Sequence, residues 1–191
     1  MKLNGIYTAL ITPYHNDYSI NEKAYAEVIN TIIEEGVHGV VVAGSTGENY
    51  TQTLEERIHL LKLSSEIIDK RVTFIAGTGG VIRTEDSIRI AQSAKSMDAD
   101  AIMISSPPYA VPTNKENAIY ATSIEQSVNL PVLLYNYPGR TSVHMDKEYL
   151  DIVSKSENFC GIKESSGEIN RIDFLIKKYP NIALCCGMDD Q

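Results

Sequence analysis

Short apolar runs alternate with helix-patterned segments from one end of this chain to the other, and that order excludes most folds. Gly5 to Thr12, closed by Pro13, reads as a first strand. Asn21 to Gly36 repeats apolar residues at helical spacing, with Tyr25, Val28, Ile29, Ile32 and Ile33 on one face and Gly36 as the stop. Val37 to Ala43 is almost wholly apolar, as a parallel strand covered on both faces must be. The couplet then recurs. A helix runs from Thr53 to about Asp69, opened by the capping box of Thr53 and Glu56. Val72 to Ala76 is a strand, Thr84 to Met97 a helix starting on a capping residue, and Asp100 to Ser105 holds a strand. Asn114 to Val128 is helical, and Pro131 opens the strand that ends in Tyr135 and Asn136. A short helix over Asp146 to Ser154, a strand over Phe159 to Lys163, a helix over Glu168 to Tyr179 and a strand over Asn181 to Gly187 complete the series.

Seven strands and six intervening helices in strict alternation imply an α/β fold with a parallel sheet. No linker or composition break divides the 191 residues, so residues 1–191 read as a single domain. Two closures fit the pattern, a doubly wound open sheet and a (β/α)8 TIM barrel. The first lacks its nucleotide signals. Gly77-Thr78-Gly79 is followed by Ile82 where the dinucleotide fingerprint needs glycine, and no phosphate-binding G-x-x-x-x-G-K-[ST] occurs. The expected fold is therefore the barrel, truncated after its seventh strand, with the eighth strand and the C-terminal helices absent.

Chemistry in such a barrel sits at the carboxyl ends of the strands. There the sequence places Ser45 and Thr46 in a glycine-flanked turn, Tyr109 after two prolines, Tyr135 with Arg140 shortly beyond, and Lys163 before Ser165-Ser166-Gly167. A lysine whose charge is disfavoured by burial or by another cation becomes an amine nucleophile. Its imine with a ketone is an electron sink for making or breaking a carbon–carbon bond. A neighbouring tyrosine can move the protons, hydroxyls and backbone amides can hold a carboxylate, and arginine can hold a second one. Each residue alone has a plainer explanation. Lys163 can snorkel to solvent, Tyr135 can be a core tyrosine, Arg140 a surface ion-pair partner, Tyr109 a turn aromatic, and Ser45 and Thr46 simple caps. Their common position at one end of the sheet is what joins them.

Other chemistries lose ground. A net charge of −8 argues against a nucleic-acid partner, which needs a basic face. His15, His38, His59 and His144 are scattered with no i,i+4 pairing, so no metal is expected, and no cofactor either. Cys160, Cys185 and Cys186 are odd in number without C-x-x-C spacing, which suits reduced thiols of a cytoplasmic protein. No apolar run approaches the length of a membrane span, and Met1 to Gly5 carries no signal-peptide apolar region.

Gly44-Ser45-Thr46-Gly47-Glu48, Tyr135-Asn136-Tyr137-Pro138-Gly139-Arg140-Thr141 and Gly161-Ile162-Lys163-Glu164 stand in the order and spacing of one family. The whole chain resembles the dihydrodipicolinate synthase / N-acetylneuraminate lyase family. That resemblance implies a metal-free, Schiff-base, pyruvate-dependent aldolase or lyase on a TIM barrel, assembled as a homo-oligomer (tetramer or dimer). It implies Lys163 as the imine-forming residue and Tyr135 as the proton donor and acceptor. Ser45 would join a proton relay, and Tyr109 would be a relay tyrosine reaching into the adjacent subunit. Thr46, Gly44 and Ser165 would bind substrate beside Arg140, which would hold the aldehyde's carboxylate. The partners implied are pyruvate and a small aldehyde. Tyr109 and Gly139-Arg140-Thr141 lean towards the synthase, 4-hydroxy-tetrahydrodipicolinate synthase, which condenses pyruvate with aspartate semialdehyde. Ser45 is common in the lyase branch, and Gly187-Met188-Asp189-Asp190 only half matches that branch's sugar-acid motif. The competing expectations are thus an N-acetylneuraminate lyase or 2-keto-3-deoxy sugar-acid aldolase, and a non-catalytic binding protein on the same barrel.

Overall fold

The computed structural model describes residues 1–188. Strands β1 (Tyr7–Ala9), β2 (Gly39–Val42), β3 (Thr73–Gly77), β4 (Ala101–Ser105), β5 (Val132–Asn136), β6 (Phe159–Glu164) and β7 (Ala183–Cys186) form one sheet in sequential order. All six pairings are parallel. Helices α1 (Glu22–Glu34), α2 (Leu54–Ile68), α3 (Thr84–Ser96), α4 (Asn114–Val128), α6 (Lys147–Val153) and α7 (Ile169–Lys178) return the chain between strands. This is the (β/α)8 barrel through its seventh strand. Among the described residues no helix is long and apolar enough to cross a membrane.

Side-chain alternation gives the sheet two apolar faces. Val40, Val42, Phe74, Ala76, Ile102, Ile104, Val132 and Leu134 pack outward against the helices. Val41, Ile75, Met103, Leu133 and Tyr135 point the other way and fill the barrel interior with Leu3 and Cys160. The apolar sequence runs have no polar face because both faces are covered.

Local chemistry sets the helix limits. Thr53 and Thr113 each form a full capping box, with Glu56 and Glu116 respectively. Asp69 and Asn129 end the same two helices in the left-handed conformation that short polar side chains tolerate. Three expectations need correcting. Thr84 is the first residue of α3 rather than its cap. Arg83 holds the cap position, and its side chain makes no capping bond. The strands are shorter than the apolar runs. β1 keeps three residues of the run from Gly5 to Thr12, and Gly5, at φ 101°, turns the chain over His38. A seventh helix, the single turn α5 (Pro138–Thr141), follows β5 where a loop was expected. Proline at its first position suits a helix start, and Tyr137 O accepts from the N–H groups of Arg140 (2.9 Å) and Thr141 (3.1 Å).

Candidate active site

Lys163 and Tyr135 are register partners on β6 and β5, both facing the barrel interior. The Lys163 Nζ lies 4.6 Å from the centre of the Tyr135 ring. Burial lowers the pKa of this amine, and the Arg140 cation lowers it further against an opposing contribution from Cys185. Cys185 is the register partner of Lys163 on β7. Tyr135 moves the other way. Burial raises its pKa, opposed by the Ser45 hydroxyl and by Arg140. The pair is therefore biased towards a free amine and a protonated phenol, the forms needed to attack a carbonyl and to donate a proton.

Arg140 reaches this position through α5. Its guanidinium sits 5.2 Å from the centre of the Tyr137 ring, and Tyr137 and Tyr135 are 5.9 Å apart. A cavity of about 220 Å³ opens beside them. Ser45, Asn49, Tyr135, Tyr137, Arg140 and Thr141 are on its wall. Lys163 is not, and Tyr135 is the side chain that joins the cavity to the amine.

The turn after β2 is fixed by neutral groups. Gly47 N–H donates to Gly44 O (3.1 Å), and Glu48 N–H to Ser45 O (3.2 Å). Asn49 Nδ2 donates to Ala43 O at 2.9 Å and to Gly79 O at 3.5 Å, tying the β2 turn to the β3 turn. Thr12 Oγ1 and Gln52 Nε2 both donate to Gly47 O, each at 2.8 Å. Gly80, at φ 82°, leaves room for Asn49, since a Cβ there would sit 2.8 Å from its Oδ1.

Of the residues expected from sequence, Lys163, Tyr135, Ser45 and Arg140 come together. Gly44 is buried at the base of the β2 turn, with a would-be Cβ 3.5 Å from Met103 Cε. Thr46 is exposed and off the cavity wall. Ser165 is buried, and its hydroxyl lies near enough to Tyr135 to help oppose the burial-driven rise in that phenol's pKa without making a hydrogen bond of good geometry. That oxygen faces Gly187, where a Cβ would lie 2.0 Å from it and 3.0 Å from Lys163 Cε. Tyr109 is 90% exposed at φ 67°, outside the cavity, while its neighbour Pro108 lines it. Asp189 and Asp190 of the half-matched sugar-acid motif lie outside the described residues. Sequence reasoning missed Asn49, whose amide is the tie between two turns, and Asn136, Glu164 and Arg171 behind the reactive pair. The available signal was position, because Asn136 and Glu164 directly follow Tyr135 and Lys163.

A model of the dihydrodipicolinate synthetase family matches residues 2–191. The 4-hydroxy-tetrahydrodipicolinate synthase of Methanoculleus marisnigri is 36% identical over 176 residues, covering 91% of this chain and 60% of its own. That of Ralstonia nicotianae is 35% identical over 94% of this chain and 60% of its own. The chain thus spans about 60% of the length of the curated relatives it matches. The solved 4-hydroxy-tetrahydrodipicolinate synthase of Methylacidiphilum fumariolicum SolV superposes with a TM-score of 0.92 at 34% identity, over 97% of this chain and 62% of its own. YagE of E. coli K12, solved in complex with pyruvate, gives 0.92 at 27% identity, over 97% and 64%.

Proposed function

We propose, from the premise that this chain belongs to the dihydrodipicolinate synthetase family, that it supplies the Schiff-base chemistry of a pyruvate-dependent aldolase. The activity most like it is that of 4-hydroxy-tetrahydrodipicolinate synthase, joining pyruvate to aspartate semialdehyde. The observation that carries this reading is the register pair of Tyr135 and Lys163, with the amine against the ring and its charge disfavoured.

The steps follow from those groups. The neutral Lys163 amine attacks C2 of pyruvate and forms a carbinolamine. Tyr135, held protonated by burial, gives a proton to the departing hydroxyl, and water leaves as the imine forms. Tyr135, now a phenolate, takes a methyl proton and converts the imine to an enamine. The enamine carbon attacks the aldehyde carbon, and the new alkoxide takes that proton back. The amine of aspartate semialdehyde then adds to the imine carbon and displaces Lys163. Ser45, on the cavity wall beside Tyr135, passes protons to and from that phenol, and the turn of Gly44, Ser45 and Thr46 receives the pyruvate carboxylate. Arg140, on the same wall, holds the aldehyde's carboxylate through paired hydrogen bonds. Ser165, with a buried hydroxyl beside Lys163 and near the Tyr135 phenol, binds substrate close to the imine.

The reading includes a cytoplasmic homo-oligomer, a tetramer or a dimer, in which Tyr109 completes the proton relay from a neighbouring copy. Its 90% exposure at the mouth supports that placement. The test is borohydride reduction in the presence of pyruvate, followed by peptide mass spectrometry. The expected result is a reduced pyruvate adduct on the Lys163 peptide. Folded protein without the adduct overturns the reading.

A further inference from the structure

Behind the reactive pair, on the opposite face of the same two strands, lies a closed ring of hydrogen bonds. Asn136 and Glu164 are the next register pair after Tyr135 and Lys163. Strand alternation sends them outward as their neighbours point inward. Both are 1% exposed. Asn136 Nδ2 donates to both carboxylate oxygens of Glu164, at 2.8 and 3.0 Å. Arg171 Nε of α7 donates to Glu164 Oε2 at 2.7 Å, and its Nη2 donates to Met145 O. Met145 N–H donates back to Asn136 Oδ1 at 3.1 Å, which closes the ring. Ser166 N–H adds a bond to Glu164 Oε1 at 2.9 Å.

Two consequences follow. The ring ties the ends of β5 and β6 to the segment before α6 and to α7, so the register that brings Lys163 to Tyr135 has a fixed outer edge. It also cancels a charge. A bare carboxylate one residue from Lys163 would favour the protonated amine and oppose nucleophilic attack. Arg171, buried with Glu164, offsets that charge, with Asp146 Oδ1 3.7 Å from its Nη1 at the exposed edge. Among the described residues, the charged and titratable groups facing the amine are then Arg140 from α5, Tyr135 from β5 and Cys185 from β7.

The geometry points to Asn136, Glu164 and Arg171 as the positioning residues of the Tyr135–Lys163 pair, holding its register and neutralising the carboxylate beside the amine. The inference rests on the proposed imine chemistry for its purpose. Its test does not, because the amine is titrated without pyruvate. Trace acylation of the chain across pH, with mass spectrometry of the Lys163 peptide, reads the fraction of free amine. Arg171→Met leaves Glu164 uncancelled and moves the Lys163 titration up by roughly half a unit to one unit, less than a direct contact gives. Glu164→Gln leaves Arg171 paired only with Asp146 at the exposed edge and moves it down by a smaller amount. The double variant returns it towards the parent curve, and Arg171→Lys stays near that curve.

A buried unpaired carboxylate can unfold Arg171→Met, so Glu164→Gln carries the decision. A folded Glu164→Gln chain whose Lys163 titration superimposes on the parent's overturns the inference. If the parent traps pyruvate, Glu164→Gln is also expected to slow trapping about tenfold with the half-saturating pyruvate concentration little changed, the mark of misplacement. Failure of the parent to trap pyruvate would count against the proposed function, while opposite titration shifts in the two variants would still support the ring.

Discussion

The two sides of the barrel mouth are held by different means. On the β5–β6 side a carboxylate, a guanidinium and an amide form a buried ring one residue away from the reactive side chains. On the β2–β3 side Asn49, Gln52 and Thr12 fasten the turn through backbone carbonyls, with no charge in those bonds. The difference follows the work proposed for each side. A lysine must be aimed, and charge-assisted bonds give the strongest geometric hold. A carboxylate-binding turn must present backbone N–H groups, and a fixed carboxylate in its scaffold would repel the ligand.

The largest test of this contrast is Lys163→Ala. It removes the amine and leaves the ring on the other face intact. Pyruvate trapping should vanish, while the thermal midpoint stays within a few degrees of the parent's, since no mutated atom belongs to the ring. Unfolding of this variant would mean that the two faces of the strand pair are not separable. The same substitution reads the amine's linkage to pH. Folding lowers the Lys163 pKa, so the native state binds fewer protons than the unfolded chain between the lowered value and the ordinary lysine value. Stability from this residue is therefore lost as pH falls through that window and regained as pH rises. Buried tyrosines and cysteines with raised pKa titrate over the same range, so the expected signature is in the difference: in denaturant titrations over alkaline pH, the parent should gain stability relative to Lys163→Ala as pH rises.

Asn49→Ala addresses the neutral side. It deprives Ala43 O and Gly79 O of their donor in a buried turn. The expected cost is about 1–2 kcal/mol of stability, together with weaker pyruvate binding. Trapping at saturating pyruvate should be nearly unchanged, because the Lys163–Tyr135 pair is untouched. A variant slowed at saturation with unchanged binding would reverse the roles assigned to the two sides. Read with Glu164→Gln, expected to slow trapping without weakening binding, it separates holding the ligand from aiming the amine.

The same contrast explains what could be read in the amino-acid order. Alternation from Val37 to Ala43, then Val72 to Ala76, announced the parallel sheet, because strands buried on both faces need unbroken apolar runs. Thr53 with Glu56 announced a helix start because a capping box is local, and Thr113 with Glu116 carries the same pattern, which the structure brings out. Tyr135 and Lys163 were legible because both end apolar strands, and their meeting needs only the parallel register. The ring was not legible. Asn136 and Glu164 end their strands on the outer face, where a polar residue ordinarily meets solvent, and Arg171 looks like the solvent side of an amphipathic helix until α7 packs on the sheet. Nor was α5, since Pro-Gly-Arg-Thr has poor helix propensity and its turn is closed by backbone bonds to Tyr137 and Pro138.

The smallest expected effect sharpens the comparison from outside both sides. Thr53 caps α2 just beyond the β2 turn. Its Oγ1 accepts from Glu56 N at 3.2 Å, and its own N–H donates to Glu56 Oε2 at 2.8 Å. Thr53→Ala removes the first bond and the hydroxyl's own bond to Glu56 Oε2 (2.9 Å), leaving only the backbone N–H on that carboxylate, at about 1 kcal/mol for a typical cap. In a chain of this size that lowers the thermal midpoint by roughly 2–4 °C. Asn49, Gln52 and Thr12 hold the turn through bonds that do not involve Thr53, so pyruvate binding should match the parent's. If binding weakens in step with the midpoint, the turn takes its shape from the helix start rather than from its amide ties, and the neutral side of the mouth is organised one element further out.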